Sequence, residues 1–504
     1  MTTMPHVCLI LEGTYPYVSG GVSSWLHSLI QGLPHLQFTI MYVGATRETR
    51  PEMQYTLPPN VVGLEEFYIQ DEASDALDMG GKARSLNPDL LEGCYHLHHA
   101  LKRNDTTCGG FSYLANALNS DGSKAPSVGR LIRSQQSWQL LVDLYEEYSA
   151  GAPLVDYFWT FVSTHMPLFR SFFAKVPEAR VYHTISTGYA GCLAALAKER
   201  TGRPMIVTEH GIYTSERRLE IAQANWIPAP EHDLLLAGPT NSLFKQQWID
   251  MFRFFSQVTY NSADSIITIT GVNQVYQQRD GADPERMRII PNGVDIEPFA
   301  AIRKTERRQP GSPFTVGFVG RVVPIKDVKT LLRAMKFCQE GVPEFRGLIV
   351  GPYNEDPGYY EECVQLSNSL GLSGVVEFTG IAEVLQYYPL LDVLVLTSTS
   401  EAVPLVILEA NCAGIPIIAT DAGACRELLL GGTEADIALG PSGIITPISS
   451  PEATGRAMVR LARDPAMCAE MGRAGIARVE QLYRLETVHS HYSQLYQQLA
   501  AQGE

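Results

Sequence analysis

Short apolar runs alternate with segments of helical length from one end of the chain to the other. HVCLILEG (6–13) leads through the turn TYPYVSGG into GVSSWLHSLIQGL (21–33) and then FTIMYVG (38–44), which reads as strand, glycine loop, helix, strand. VYHTIS (181–186), MIVTEHG (205–211), SIITITG (265–271) and MRIIPNG (287–293) continue the series. Apolar runs of this length, separated by helices, specify parallel strands covered on both faces.

The rhythm breaks twice. Polar stretches such as RNDTTCGG and NSDGSKAPS fall within 70–150, which reads as a partly helical insertion. AIRKTERRQPGSP (301–313) is charged and lacks apolar periodicity, as a linker would. A second alternating series follows: FTVGFVG (314–320), RGLIVG (346–351), VVEFTG (375–380), LDVLVLTS (391–398), IPIIATD (415–421) and GIITP (443–447). The chain therefore reads as α/β, with two Rossmann-like doubly wound domains, 1–300 and 301–485. A ligand is expected in a cleft at the carboxyl ends of their strands. In 486–504, Val488, Tyr492, Leu495 and Leu499 form an apolar stripe, so this helix is expected to cross back and pack on the N-terminal domain.

Composition excludes some partners. With a formal charge of -15, the chain lacks the excess of Lys and Arg that nonspecific nucleic-acid or anionic-membrane binding requires. The start, MTTMPHVCLILEGTY, has no basic region before its apolar run, so it does not read as a signal peptide. No apolar stretch is long enough for a direct membrane span. Nine scattered cysteines without a CxxC pair fit reduced thiols in a cytoplasmic protein. Cys94, His96, His98, His99 and Cys108 invite a metal reading, but their spacing matches no structural zinc pattern, and a solvated histidine-bearing helix is the reading adopted.

An anionic ligand must then be met by local groups. Arg321 follows a strand-ending glycine and Lys326 lies in the same strand-to-helix loop, both expected to be exposed; a fork and a point charge suit a diphosphate, and two solvated surface cations are the alternative. Gly20 and Gly21 open a helix whose N–H groups face outward, or simply make a tight turn. His210 ends an apolar strand, where polar residues border the ligand crevice; His183 holds the same place on the preceding strand with a weaker case. Glu401 lies in a loop after a strand, and Glu409 on the helix that begins beyond Pro404.

The glycine loop, the strand-end histidine, PNGVD (291–295), G-R-x4-K (320–326) and E-x7-E (401–409) occur in the order found in GT-B glycosyltransferases of family GT4, and the resemblance spans nearly the whole chain. More narrowly, LEGTYPYVSGGVSSWLHSLIQGLP, TEHGIYTSER and SEAVPLVILEA resemble the cytosolic transferases of Pel exopolysaccharide synthesis. The resemblance implies a retaining transfer from a UDP-sugar to a growing polysaccharide. Arg321 and Lys326 would neutralise the diphosphate and Glu409 would hold the ribose. Glu401 and His210 would serve the donor sugar as catalytic residues, with Gly20 and Gly21 bordering the diphosphate. Where this sequence has Val403-Pro404 the commoner form has Phe-Gly; proline offers no N–H, so a phosphate contact would fall to a flanking amide such as that of Leu405.

No two aspartates are spaced D-x-D, so no metal and no other cofactor is expected. A membrane-bound Pel synthase complex is the implied partner, with recruitment to the inner membrane through it. Two other readings stay open: a nucleotide-sugar-binding scaffold within a synthase assembly, and a GT-B nucleotide-sugar epimerase that needs no acceptor.

Overall fold

The computed structural model describes residues 6–71, 88–103, 109–118, 134–227, 242–303 and 311–502. The chain divides into two compact units. The first holds residues up to 269, 273–290 and 491–504; the second holds 270–272 and 291–490.

The first unit is built on a seven-stranded sheet: β1 (Val7–Glu12), β2 (Phe38–Gly44), β3 (Val61–Tyr68), β4 (Val181–Thr184), β5 (Met205–Glu209), β6 (Ser265–Thr268) and β7 (Met287–Ile289). Its order is β3-β2-β1-β4-β5-β6-β7, and every pairing is parallel. Residues Val7 to Leu11 are wholly buried, because helices cover both faces of the central strands. β3 escaped the sequence reading: it is an edge strand, VVGLEEFY, and its two glutamates interrupt the apolar signal.

The described parts of 70–150 are helical, at Pro88–Arg103, Gly109–Ala117 and Gln135–Tyr148. They are integral to the unit, since Leu97, Leu114 and Leu141 join the same core as Cys8 and Ile10 of β1. The stretches 72–87, 104–108 and 119–133 of that insertion lie outside the described residues.

The second unit carries a six-stranded parallel sheet: β8 (Phe314–Val319), β9 (Phe345–Val350), β10 (Val376–Gly380), β11 (Val393–Leu396), β12 (Ile417–Thr420) and β13 (Gly443–Thr446), in the order β10-β9-β8-β11-β12-β13. One core lies on each face of this sheet. A fully buried Arg478 ties the end of the unit together, pairing with Asp436 at 2.6 Å and donating to the carbonyls of Leu429 and Gly440.

The unit boundary falls at Pro291, before the polar stretch expected to be the linker, because Val294 and Ile296 are already buried in the second unit and the Val294 N–H donates to the Tyr483 carbonyl at 2.8 Å. The other boundary falls at His491, within the helix Leu485–Gln502. From there Tyr492, Leu495, Tyr496 and Leu499 are buried in the first unit. Among the described residues no helix is long and apolar enough to cross a membrane.

Candidate functional site

In the second unit, four loops at the carboxyl ends of β8, β9, β11 and β12 hold the polar residues together. Lys326 comes first. Asp327, in the left-handed region at φ 43°, caps the helix Val328–Gly341 by accepting from the Thr330 N–H; Asp is one of the few residues that tolerates this conformation. The Thr397 hydroxyl donates to the carbonyls of both Lys326 and Asp327 at 3.0 Å, fastening this turn to the end of β11.

That anchoring brings Lys326 Nζ to 2.5 Å from Glu401 Oε1, which also accepts from Ser398 Oγ at 2.5 Å. The side chains are 19% and 9% exposed, so Lys326 is largely covered, contrary to the expectation of an exposed cation. The cause is the Thr397 anchor together with Gly423. At Gly423 (φ 52°) a Cβ would lie 1.8 Å from the Glu401 carbonyl oxygen, so only glycine lets the β12 loop press this close.

Arg321 remains exposed. Its Nη1 donates to both carboxylate oxygens of Glu355 at 2.7 Å, and both side chains are about half exposed. A pair so solvated is worth at most ~1 kcal/mol, so Arg321 can exchange Glu355 for another anion at little cost. Its loop is fixed from behind by Gly351 (φ 142°), where a Cβ would meet the Gly320 carbonyl at 2.1 Å.

The helix Leu405–Cys412 starts after Pro404. Leu405, 38% exposed, is its first residue, and its N–H is among those a helix leaves without an intrahelical acceptor. Glu409 sits on the same helix and accepts from Tyr388 Oη at 2.7 Å. Burial raises the Glu409 pKa, and the Tyr388 hydrogen bond partly offsets that rise.

The first unit holds the remaining candidates. Gly20 and Gly21 are exposed at the start of the helix Gly21–Gly32, and a Cβ on either would meet open space. Crowding therefore does not require glycine there. His210 follows β5 directly, with its ring 4.5 Å from that of Trp25 in an edge-on contact. Its neighbour Glu209 is 1% exposed and accepts from Tyr260 Oη (2.5 Å), Gln277 Nε2 (2.9 Å) and the Tyr213 N–H (3.4 Å). Burial pushes Glu209 up to about 7 against the pull of those hydrogen bonds. Three elements thus clamp the residue that precedes His210. His183 is structural: wholly buried, it engages Tyr496 Oη at 2.7 Å through Nδ1 and Thr208 Oγ1 at 2.9 Å through Nε2.

Two family profiles match the sequence. Residues 5–285 match a domain of unknown function, DUF3492, and residues 301–478, which include the four loops just described, match glycosyl transferases group 1. The chain belongs to the DUF3492 family and has a GT-B fold, with a group 1 match confined to residues 301–478. D-inositol 3-phosphate glycosyltransferases are among its relatives. That of Kribbella flavida is 25% identical over 60% of this chain and 69% of its own length, and that of Streptomyces scabiei is 27% identical over 59% and 63%. A third, from Streptomyces bingchenggensis, is 30% identical over 40% of this chain; the alignment spans 45% of that relative's length. Among solved structures, HepE of Anabaena in complex with UDP superposes with a TM-score of 0.58 at 16% identity, covering 98% of this chain and 99% of HepE. Sucrose-phosphate synthase of Thermosynechococcus elongatus gives 0.55 at 17% identity, covering 98% and 99%.

Along this chain the motif residues were legible in sequence and their partners were not. Glu355, Ser398 and Tyr388 each hold a candidate side chain, yet none belongs to a spaced motif; Glu355 reaches Arg321 only because β8 and β9 are adjacent in the sheet. The histidine-rich helix Pro88–Arg103 is not simply solvated as expected. His98 is buried, stacks on His165 at 4.7 Å and is engaged through Nδ1 with the Cys94 carbonyl, and burial pushes its pKa down to about 4. Among the described residues no three His, Cys, Asp or Glu side chains converge on a metal position, and Cys108 lies outside them.

Proposed function

We propose that this protein is a retaining glycosyltransferase that moves a hexose or N-acetylhexosamine from a UDP-sugar to a growing exopolysaccharide, in the manner of PelF in Pel exopolysaccharide synthesis. The observation that carries the reading is the Lys326–Ser398–Glu401 cluster at the strand ends of the group 1 domain, flanked by Arg321 and Glu409. The UDP bound to HepE, a protein of similar fold, supports the choice of nucleotide.

The chemistry suits these groups. Cleaving the sugar–diphosphate bond builds positive charge at the anomeric carbon and negative charge on the departing diphosphate. Cations beside the phosphates therefore stabilise the transition state more than the ground state. Arg321 takes the phosphates with its fork and Lys326 with its point charge, which assigns to side chains the neutralisation a metal would otherwise supply. Glu401 faces the donor sugar with its position set by Lys326 and Ser398, and His210 is the catalytic candidate of the first unit. Glu409 accepts from the ribose hydroxyls, and the Leu405 N–H takes a phosphate oxygen. The reading places the reaction in the cytoplasm, with the product passed to a membrane-bound synthase complex.

The test is UDP release from UDP-glucose, UDP-N-acetylglucosamine and UDP-N-acetylgalactosamine, with a polysaccharide acceptor present, for the native protein and Glu401→Ala. Turnover of one donor that Glu401→Ala abolishes is expected. UDP binding with no turnover of any donor would overturn the transferase assignment.

A further inference from the structure

A polar cavity lies within the first unit, and none of its lining residues is assigned to the donor. It has a volume of about 660 Å³ and opens at the carboxyl ends of β2 and β3 against the helix Leu154–Ser171. Its size falls in the ~300–1,000 Å³ range of ligand sites.

The walls define what it can hold. Trp226 and Trp248 meet at right angles, with centroids 5.5 Å apart and planes at 83°, and Trp226 is 68% exposed. An indole face left in water at a cavity mouth is an apolar platform of the size and flatness of a pyranose ring's C–H face. Around it stand Arg47, Glu48, Asp71 and Arg170. Arg47 pairs loosely with Asp71 at 3.6 Å, and the Arg170 guanidinium is held in place by donating to the Ile69 carbonyl at 2.8 Å. Among the described lining residues two cations and two carboxylates sum to no net charge, so they offer donors and acceptors without favouring an anion. A phosphate ligand calls for an excess of cations. A hydroxyl-rich neutral ligand calls for both kinds of partner beside an apolar face.

We infer that this pocket is a subsite for a neutral oligosaccharide, holding sugar units of the polymer away from the bond being made. The inference rests on the reading above that the acceptor is a growing polysaccharide. Such a chain repeats its unit, so a second hold on it raises the residence time of long acceptors and leaves short ones unaffected.

The experiment uses the full chain without UDP. N-acetylhexosamine oligomers of two, four and six units are titrated by calorimetry while tryptophan emission is followed. The hexamer is expected to bind about ten-fold or more tighter than the dimer and to shift the emission of the exposed Trp226. Trp226→Ala and Arg47→Ala are each expected to lower hexamer affinity by about five-fold or more, and Trp226→Phe, which keeps an aromatic face, to retain most of it. Absence of hexamer binding at millimolar concentration, or equal hexamer affinity in native protein and Trp226→Ala, would overturn the assignment. A parallel titration with UDP separates the two readings: lost UDP binding strikes the donor assignment, whereas the oligomer result judges the pocket by itself.

Discussion

Lys326 and Glu401 each lose most when the other is removed. The pair is largely covered, and deleting one partner of a covered ion pair leaves a charge without its counter-ion, which costs more than the pair contributes. Lys326→Met is therefore expected to destabilise the second unit by about 1–3 kcal/mol, and the double variant Lys326→Met/Glu401→Gln by less than the sum of the single changes. Denaturant unfolding of the four proteins measures this coupling, and strict additivity would separate the residues. The same Lys326 change is expected to weaken UDP binding about ten-fold or more, the loss of one charge-assisted contact, read by calorimetry.

Glu209 supplies a pH dependence whose sign follows from its burial. The folded carboxyl titrates at about 7 and the unfolded one at 4.5, so between these values the native chain holds the extra proton. The stability of the protonated form is complete below about pH 4.5 and is lost as pH rises through about 7. Glu209→Gln removes this titration. Its stability relative to the native protein is expected to improve by about 2 kcal/mol between pH 5 and pH 8. A difference constant across that range, from thermal unfolding at several pH values, would contradict the burial argument.

At the scale of elements, what the sequence reveals depends on how each element is buried. Strands covered on both faces, such as β1 and β8, are plain in the sequence because their residues carry no polar side chain apart from Glu12 and Thr315. β3 is covered on one side at the sheet edge and carries Glu65 and Glu66, so its pattern falls below a strand signal. The last helix was legible as a stripe. Its key contact was not, since nothing local to Tyr496 announces a buried His183 more than three hundred residues away. Tyr496→Phe keeps the ring and strands a buried imidazole nitrogen. A loss of about 1–3 kcal/mol is expected in the first unit, whereas removing residues 491–504 exposes Tyr492, Leu495, Tyr496 and Leu499 together and is expected to abolish cooperative unfolding of that unit, followed by circular dichroism.

At the scale of the whole molecule, each unit has a core of its own, and the proposed donor groups of the loops after β8 and β11 all rest on the second. A ligand that binds only the native form at a hundred times its Kd adds about 2.7 kcal/mol to the unfolding of whatever it binds. UDP at that excess is expected to slow amide exchange first in residues 320–327 and 397–412 and in the strands beneath them, because the backbone hydrogen bonds of Lys326, Asp327 and Thr399 link those loops. Hydrogen-exchange mass spectrometry on native protein and Lys326→Ala provides the check. Slowing in these segments that Lys326→Ala removes would place the nucleotide where the Lys326–Glu401 pair now sits. Slowing elsewhere, with 397–412 unchanged, would show that the pair is a brace of the fold and that the nucleotide is held by other groups.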